Sequence, residues 1–368
     1  MGLGDVIRAS RARVSVARRE PIAVANRRVL LAYLFPGLGD NVLLLPVLEA
    51  LASREPAMIG VLVRSVGARV LERYGRSVRV HVLPDELIDR TRTDHPTASR
   101  LRSARGTAVR AARTRLSKEL RGSQYDVAVD LTHRREVDTR GILARSGAAS
   151  RVGLIAPGES LGEAGLLAGV VDERHLPSQH WSRHVVEGLG PLGIDAPRYG
   201  VPISIPARAR ARAKGPAEGP RVLLVPGSQF AEKRWPIEHW EALAGELITR
   251  DRAQVVVTGA PFEVRAIRAF ARRVGARAFT GADLAQLLAF IEQADVVVGN
   301  DTGPMHFAYL LGRPAVTLFL HMSPTIWGPP VSDPRFVAFE VDASTRPEQV
   351  LEAVRGRFTQ GIGSPVRA

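Results

Sequence analysis

Three short polar clusters, each directly after an apolar run, hold the side chains in this sequence that are best suited to chemistry. The first is FPGLGD, in which Asp40 follows the apolar run at 29–35 and lies at the start of a predicted helix. A carboxylate there has two interpretations. It caps the helix N-terminus, which stabilises a helix by about 1 kcal/mol, or it accepts a proton from a substrate hydroxyl as a general base. The glycines lack the third position of a dinucleotide-binding GxGxxG motif.

The second cluster is VPGSQFAEKRWP, in which an apolar run ends at Gly227 and Ser228 and Lys233 follows. Of the 51 lysine and arginine residues, only Lys118, Lys214 and Lys233 are lysines, so the other 48 are arginines. An ammonium group is therefore unexpected by composition, and its compact charge suits a phosphoryl oxygen. The alternative is a solvated loop lysine without a function. The loop is not a Walker A motif, because GxxxxGK[ST] is absent.

The third cluster, VVVGNDTGPMHFAYLLG, is the strongest local signal. The apolar run leads into Asp301, Thr302 and Gly303, Pro304 is predicted as the first helical residue, and His306 lies in the first turn. Free backbone N–H groups and the positive end of a helix form a ready site for a diphosphate. His306 is then a donor to a phosphate oxygen, although a buried core histidine needs no ligand.

The elements that must position these clusters follow from an alternation of short apolar runs with helix-length amphipathic segments. Continuous apolar strands separated by helices predict parallel sheets covered on both faces, and thus a doubly wound α/β fold in each half. Such sheets bind ligands at the carboxyl ends of their strands. Glu263, in GAPFE, is predicted at the same edge, where it accepts from a nucleotide ribose or only stabilises a helix start.

The same alternation divides the chain. A proline-rich stretch without a clear apolar period separates the two halves and predicts an interdomain linker. The predicted regions are a basic arm at 1–27, an N-terminal domain at 28–192, a linker at 193–220, a C-terminal domain at 221–345 and a terminal helix and tail at 346–368.

Composition excludes several classes of protein. The net charge is +14, and nearly all of the cationic residues are arginines, which points to coding bias in the amino-acid usage. Only 5% of the residues are aromatic, so the chain lacks a stacking surface for single-stranded nucleic acid, and we expect no nucleic-acid partner. There is no cysteine, so disulfides and cysteine-ligated zinc are excluded. No apolar run approaches the ~20 residues that span a bilayer, and the basic N-terminus lacks the apolar core of a signal peptide. We therefore expect a cytoplasmic protein.

The motifs, in this order and spacing, resemble those of glycosyltransferase family 9, the heptosyltransferase family. The resemblance rests on GLGDNVLLLPVLEAL, PGSQFAEKRWPIEHWEALAGEL and GNDTGPMHFAYLLGRPAV followed by WGP, and it extends over roughly residues 28–358. It implies a GT-B fold of two Rossmann-like domains that face a cleft, with the donor bound mainly by the C-terminal domain and the acceptor by the N-terminal one. Typical members transfer heptose from an ADP-sugar to the lipopolysaccharide inner core.

Roles for individual residues come from the same resemblance. By position, Asp40 matches the proposed catalytic base and Lys233 the lysine at the donor phosphates. The remaining donor contacts match Gly227, Ser228, Glu263, Asp301, Thr302, Gly303 and His306. The sequence has no DxD motif of the kind that holds a metal on a nucleotide-sugar, so we expect a metal-independent transfer in which Lys233 and the helix that starts at Pro304 neutralise the leaving group. Attack by the acceptor oxygen on the face opposite the departing diphosphate, with its proton passing to Asp40, would invert the anomeric centre. The donor, an ADP-sugar such as ADP-heptose, is a substrate, and no cofactor is expected.

The acceptor side is less specific. An arginine-rich segment from about residue 85 to 122 includes Arg100, Arg102 and Arg105, which we predict to bind an anionic glycan or glycolipid acceptor, since guanidinium groups bind phosphate and carboxylate bidentately. With the basic arm, this segment also predicts peripheral contact with an anionic membrane, and the alternative is a solvated helix face. Two other functions stay open: a GT-B sugar-nucleotide epimerase or hydrolase, and a non-catalytic nucleotide-sugar-binding protein.

Overall fold

The computed structural model describes residues 21–88, 105–132, 137–155, 167–170, 180–215, 218–281, 283–330, 332–342 and 344–358. The strands in these ranges form two six-stranded sheets, and neighbouring strands in both are parallel throughout. The prediction of two doubly wound parallel sheets is confirmed.

The first sheet has the spatial order β3-β2-β1-β4-β5-β6. Its strands are β1 (Arg28–Ala32), β2 (Met58–Val63), β3 (Arg79–Val82), β4 (Val127–Asp130), β5 (Ser150–Ile155) and β6 (Leu167–Val170). The helices of this half are α1 (Leu38–Leu43), α2 (Leu45–Ala52), α3 (Ser65–Leu71), α4 (Arg105–Gly122), α5 (Thr139–Ala144) and α6 (Trp181–Glu187). This strand order is that of a dinucleotide-type doubly wound sheet, in which the chain changes direction between β1 and β4.

The second sheet repeats that order, as β12-β11-β10-β7-β8-β9. Its strands are β7 (Arg221–Val225), β8 (Gln254–Thr258), β9 (Arg277–Phe279), β10 (Val296–Asn300), β11 (Ala315–Phe319) and β12 (Phe336–Glu340). Its helices are α7 (Ala207–Ala213), α8 (Ile237–Thr249), α9 (Val264–Val274), α10 (Leu284–Gln293), α11 (Gly303–Leu310), α12 (Pro324–Trp327) and α13 (Pro347–Phe358). Here the chain changes direction between β7 and β10.

Continuous burial explains why the central strands have no alternating pattern. Every residue of β10 and β11 is buried, as are four of the five residues of β1, because helices cover both faces of each sheet. One hydrophobic cluster extends from the first sheet into the second, joining Tyr33 and Val42 to Met305 and Phe307. The two halves therefore share a packed interface beside the crevice.

Several segments differ from the prediction. Part of the predicted linker forms α7, which packs on α10 through its buried Ala209 and Ala213, while Arg210 pairs with Glu292 at 2.6 Å. The terminal helix α13 packs on the second sheet, against α8, β10 and β11. Strands β6 and β12 were not predicted. The domain boundaries stay a prediction.

Candidate active site

The N-terminal ends of α1 and α11 meet in the crevice between the two sheets, just beyond the points where the sheet order reverses. A Cβ atom built on Gly39 would lie 2.8 Å from Cδ2 of His306. A Cβ on Gly303 would lie 2.7 Å from the side chain of Leu38. Only glycines allow this approach, which brings the turn that carries Asp40 directly against the cluster around His306.

Asp40 is the third residue of α1, and Gly37 is the N-cap. Its Oδ2 accepts a hydrogen bond from the backbone N–H of Gly37 at 3.1 Å. Asp40 is therefore not the N-cap residue, and that interpretation is wrong. The carboxylate still stabilises the start of the helix from the third helical position. The side chain is half-buried at the crevice, and a carboxylate has further lone pairs with which to accept a proton.

Lys233 and Asp301 form an ion pair in the crevice, with 2.8 Å between Nζ and Oδ2. The two side chains are only 19% and 7% exposed, so Lys233 is not the solvated loop lysine of the alternative interpretation. The pair joins residues 68 positions apart, from the loop after β7 and the turn after β10. An ammonium group has three N–H donors, and this bond uses one of them.

His306 lies deeper, with its Nε2 atom 3.9 Å from Oδ1 of Asp301. Burial lowers its pKa below the usual value against the raising effect of Asp301, and the nearby Lys233 lowers it further. Its Nδ1 is buried and has no hydrogen-bond partner among the described residues. A buried polar atom without a partner costs free energy, so this nitrogen is one place where a ligand can compensate.

The start of α11 gives the crevice a positive helix end. The helix begins at Gly303, with Pro304 second, one residue earlier than predicted. The N-cap residue Thr302 makes no side-chain cap, because its hydroxyl donates to the carbonyl of Asn300 at 3.1 Å. Without a side-chain cap, the first turn leaves backbone N–H groups for an anion.

Gly227 and Glu263 also meet at this edge. A Cβ on Gly227 would overlap both carboxylate oxygens of Glu263, one of which accepts from the N–H of Ala260 at 2.8 Å. Ser228 is buried, and its Oγ accepts from the N–H of Phe230 at 3.2 Å. The structure thus brings every described donor-side residue of the prediction to one edge of the second sheet, while their roles stay a prediction.

Asn300 is a positioning residue that the sequence analysis missed. It is fully buried at the end of β10; its Nδ2 donates to the carbonyl of Pro226 at 2.6 Å, and its Oδ1 accepts from the N–H of Trp235 at 3.3 Å. These bonds fasten both ends of the loop that carries Lys233 to the strand that leads into Asp301. An amide that ends the all-apolar run VVVG was the available signal.

Asp130 is a further carboxylate at a strand end, on the first sheet. It is buried at the end of β4, its Oδ1 accepts from the N–H of Thr132 at 2.8 Å, and burial raises its pKa to about 7. It was not predicted, although it also ends an apolar run. Because side chains two residues apart share a face of a strand, the side chain of Asp130 lies on the face of Ala128, which belongs to the hydrophobic cluster covered by α4 and α5.

Aromatic residues join the backbone at Asp40 to the second half. The Tyr33 hydroxyl donates to the carbonyl of Asp40 at 3.0 Å and accepts from the Trp181 ring N–H at 3.1 Å. Trp181 stacks on Trp327, with 4.9 Å between ring centroids. The neighbouring His180 contacts the carbonyl of Gly328 through Nε2 at 3.2 Å. These contacts position Asp40 relative to the donor-side residues.

The predicted acceptor residues are less well defined. Arg100 and Arg102 lie outside the described residues, and Arg105 is the first residue of α4. Among the described residues no group of three or more His, Asp and Glu side chains is arranged to hold a metal ion. In that part of the chain, none of the helices is both long and apolar enough to cross a membrane.

Comparison with known sequences gives the family. The model of glycosyltransferase family 9, described as heptosyltransferase, matches residues 113–354, more than half of the chain. Lipopolysaccharide heptosyltransferase 2 of Salmonella typhimurium is 35% identical over 124 residues, which is 32% of this chain and 35% of that protein. The alignment thus spans only about a third of the curated relative's length.

Two solved structures extend the likeness over nearly the whole chain. A family 9 glycosyl transferase from Veillonella parvula has a TM-score of 0.74 at 18% identity, and the match covers 93% of this chain and 100% of that one. The E. coli ADP-heptose lps heptosyltransferase II has a TM-score of 0.70 at 20% identity, with 90% and 99% covered. The chain therefore belongs to glycosyltransferase family 9, and its two facing parallel-sheet halves have the GT-B fold that the motifs predicted.

Proposed function

We propose that the protein is an inverting, metal-independent glycosyltransferase that moves heptose from ADP-heptose to a hydroxyl group of a glycan or glycolipid, as in assembly of the lipopolysaccharide core. The main observation in support is the packing of Gly39 on His306, which brings the turn that carries Asp40 against a histidine whose Nε2 lies 3.9 Å from Oδ1 of Asp301, the partner of Lys233. A candidate base and a candidate phosphate site thus face one crevice, as a transfer reaction requires.

The donor-side residues suit a leaving diphosphate. Lys233 keeps two N–H donors beyond its bond to Asp301, and the N-terminus of α11 adds backbone donors and a positive helix end. When the bond from the anomeric carbon to the diphosphate breaks, its electron pair leaves with ADP. Fixed donors aimed at this developing charge stabilise the transition state. This arrangement supplies the charge neutralisation of a metal-independent reaction.

The acceptor side supplies the base. The acceptor oxygen attacks the anomeric carbon on the face opposite the diphosphate, so the configuration at that carbon inverts. The hydroxyl proton passes to Asp40, whose backbone is held by Tyr33. Arg100, Arg102 and Arg105 are proposed to bind an anionic acceptor. We also propose a position on the cytoplasmic face of an anionic membrane.

The first experiment measures transfer directly. Purified protein is incubated with ADP-heptose and a heptose-free lipopolysaccharide core acceptor, with GDP- and UDP-sugars as parallel donors and with EDTA in a matched set. We expect product only with ADP-heptose, undiminished by EDTA, and a new glycosidic bond of inverted configuration by NMR. A strict requirement for a divalent metal contradicts the metal-independent mechanism. Turnover of a UDP-sugar without an acceptor supports the epimerase or hydrolase alternative instead.

A further inference from the structure

The outer face of α4 has a one-sided charge that the crevice does not use. Among the described side chains of this helix, five are cationic: Arg110, Arg113, Arg115, Lys118 and Arg121. None of the five forms an ion pair within the described part of the chain. The one acidic residue of the helix, Glu119, is engaged by a hydrogen bond from Nδ1 of the buried His81. His81 in turn contacts the hydroxyl of Tyr125 at 2.6 Å.

A cavity of about 390 Å³ lies between this face and the end of α5. It is lined by four cationic and two hydroxyl side chains, namely Arg113, Thr114, Ser117, Lys118, Arg121 and Arg145, which we call the basic pocket. The lining contains no carboxylate. Cations that share a cavity repel one another, so a lining of this composition is stabilised by an anion.

Two of the guanidinium groups are held in place. Nε of Arg121 donates to the carbonyl of Arg145 at 2.9 Å, and Nη1 of Arg145 donates to the carbonyl of Gly141 at 2.6 Å. Satisfying the end of α5 uses one of the five N–H donors of each guanidinium. Because these bonds already hold the two side chains, a ligand that binds the remaining N–H donors loses less free energy to side-chain ordering, which favours binding.

Lys118 adds a compositional argument. It is one of three lysines in a chain with 48 arginines, and another, Lys233, is the cation of the candidate donor site. Beside Ser117 and Thr114 it combines a compact charge with hydroxyl groups, a set of donors that suits phosphate oxygens.

The basic pocket is separate from the crevice. Helices α4 and α5 each connect two parallel strands of the first sheet, so both run away from the edge at which those strands end. Arg121 and Arg145 lie at or just beyond the C-terminal ends of these helices, and therefore toward the opposite edge from Asp40.

We propose that the basic pocket binds a phosphate group. The arginines bind its oxygens bidentately and Lys118 binds as a point charge. The volume exceeds that of one phosphate, so the group is a phosphodiester or monoester with organic substituents, either on an anionic lipid or on a free molecule. The basic pocket would give the proposed membrane contact a defined binding site, whichever sugar the enzyme transfers.

The first test uses vesicles. A triple variant, Arg113→Gln, Lys118→Gln and Arg121→Gln, is compared with a charge-matched control, Arg208→Gln, Arg265→Gln and Arg272→Gln, which removes exposed arginines of α7 and α9. Sedimentation is measured with phosphatidylglycerol–phosphatidylethanolamine vesicles and with phosphatidylcholine vesicles. We expect the pocket variant to bind the anionic vesicles on the order of 100-fold more weakly, at about 1 kcal/mol for each removed charge, and the control to bind like the wild type.

The second test separates a lipid from a free ligand. Inorganic phosphate is titrated into the full-length protein, and backbone amide shifts are followed by NMR at residues 113–121 and 301–306. Shifts at 113–121 that the pocket variant loses, without sedimentation on vesicles, identify a free phosphorylated ligand. Sedimentation that the pocket variant loses and the control keeps identifies a lipid headgroup. The proposal is overturned if both triple variants behave alike on vesicles and phosphate causes no shift at 113–121. A cooperative thermal unfolding transition shows whether each variant is folded, and transfer is assayed separately, so failure here differs from failure of the glycosyltransferase assignment.

Discussion

The crevice and the basic pocket each present cationic side chains, yet these cations are paired in one region and unpaired in the other. In the crevice, Lys233 is paired with the buried Asp301 before any ligand arrives. In the basic pocket, no cation forms an ion pair within the described residues, and the nearby Glu119 is engaged with His81. A buried charge must be paired, because leaving water costs several kcal/mol for each ion. An exposed charge is solvated by water and needs no partner before a ligand binds.

This difference predicts different responses. A donor phosphate must share Lys233 with Asp301, so binding in the crevice depends on geometry and changes little with salt. Binding in the basic pocket rests on charges that are exposed, as at Lys118 and Arg121, or partly exposed, as at Arg113 and Arg145, and salt screens exposed charges over roughly 8 Å at physiological ionic strength. We therefore expect high salt to release the protein from anionic vesicles while donor affinity changes by only a few-fold.

The largest effect is expected from Asp40→Ala. Loss of a positioned base lowers transfer by about 100- to 10,000-fold. Donor affinity stays within a few-fold, because the carboxylate acts on the acceptor, and vesicle binding is unchanged. Transfer is followed by mass spectrometry of the acceptor and donor affinity by calorimetry. An active Asp40→Ala protein removes this residue from the mechanism.

Lys233 is the next test of the crevice. Lys233→Ala is expected to weaken ADP-heptose binding and slow turnover together, by about 10- to 100-fold, the range for a hydrogen bond to a charged group. It also leaves Asp301 without its cation, so the melting temperature is measured alongside. Lys233→Arg keeps the charge in another shape and is expected to recover only part of the loss. Unchanged donor affinity in Lys233→Ala contradicts the phosphate assignment.

Asn300 tests whether the crevice is positioned by buried hydrogen bonds. Asn300→Ala removes two bonds and leaves the carbonyl of Pro226 and the N–H of Trp235 without partners, so unfolding becomes about 2–3 kcal/mol easier. Asn300→Asp keeps the acceptor for Trp235 but loses the donor to Pro226. We expect both variants to raise the KM for the donor, because the loop that carries Lys233 is released. A variant with lower stability and an unchanged KM would make Asn300 a packing residue only.

Much of the fold followed from the sequence because the central strands are continuous apolar runs. The strands that were missed are the outermost ones. Strand β12, FVAFE, lies at the edge of its sheet with only one of its five residues buried, and β6 is the four-residue run LAGV. In helix α7, alanine and arginine alternate (ARARARA), which is a period of two and not the period of a helix. Ala209 and Ala213 become the buried face only because the helix packs on α10.

The individual residues of the candidate site were predictable from the sequence, but the contacts between them were not. Each cluster could be found because a polar residue follows directly after an apolar run. The Lys233–Asp301 bond joins residues 68 positions apart, and Gly39 meets His306 from the other half of the chain. No local spacing encodes such contacts, because they depend on how the two sheets are oriented.

The smallest expected effect is a pH dependence of stability that arises beside the crevice and not in the basic pocket. His180 caps α6 through Nδ1, which accepts from the N–H of Ser182 at 3.3 Å, and burial together with the nearby His306 lowers its pKa to about 4. The unfolded chain takes up this proton near pH 6.5, so stability is lost as the pH falls from about 6.5 toward 4. At pH 5 the loss is about 2 kcal/mol. His306 acts with the same sign, while Asp130, whose pKa is raised to about 7, acts with the opposite sign.

Comparing a His180 variant with the wild type cancels the contributions of His306 and Asp130. His180→Asn keeps a side-chain acceptor at the N-cap and removes the titration, so its loss of stability between pH 7 and pH 5 is expected to be about 2 kcal/mol smaller than that of the wild type. Urea unfolding at several pH values measures it, with the exposed His321→Asn as the control for removal of a histidine. The lining of the basic pocket does not include His180, so vesicle binding by the His180→Asn protein should match the wild type at every pH. Parallel pH profiles for the His180→Asn and wild-type proteins would mean that His180 is not the buried, neutral cap that joins the two halves beside the crevice.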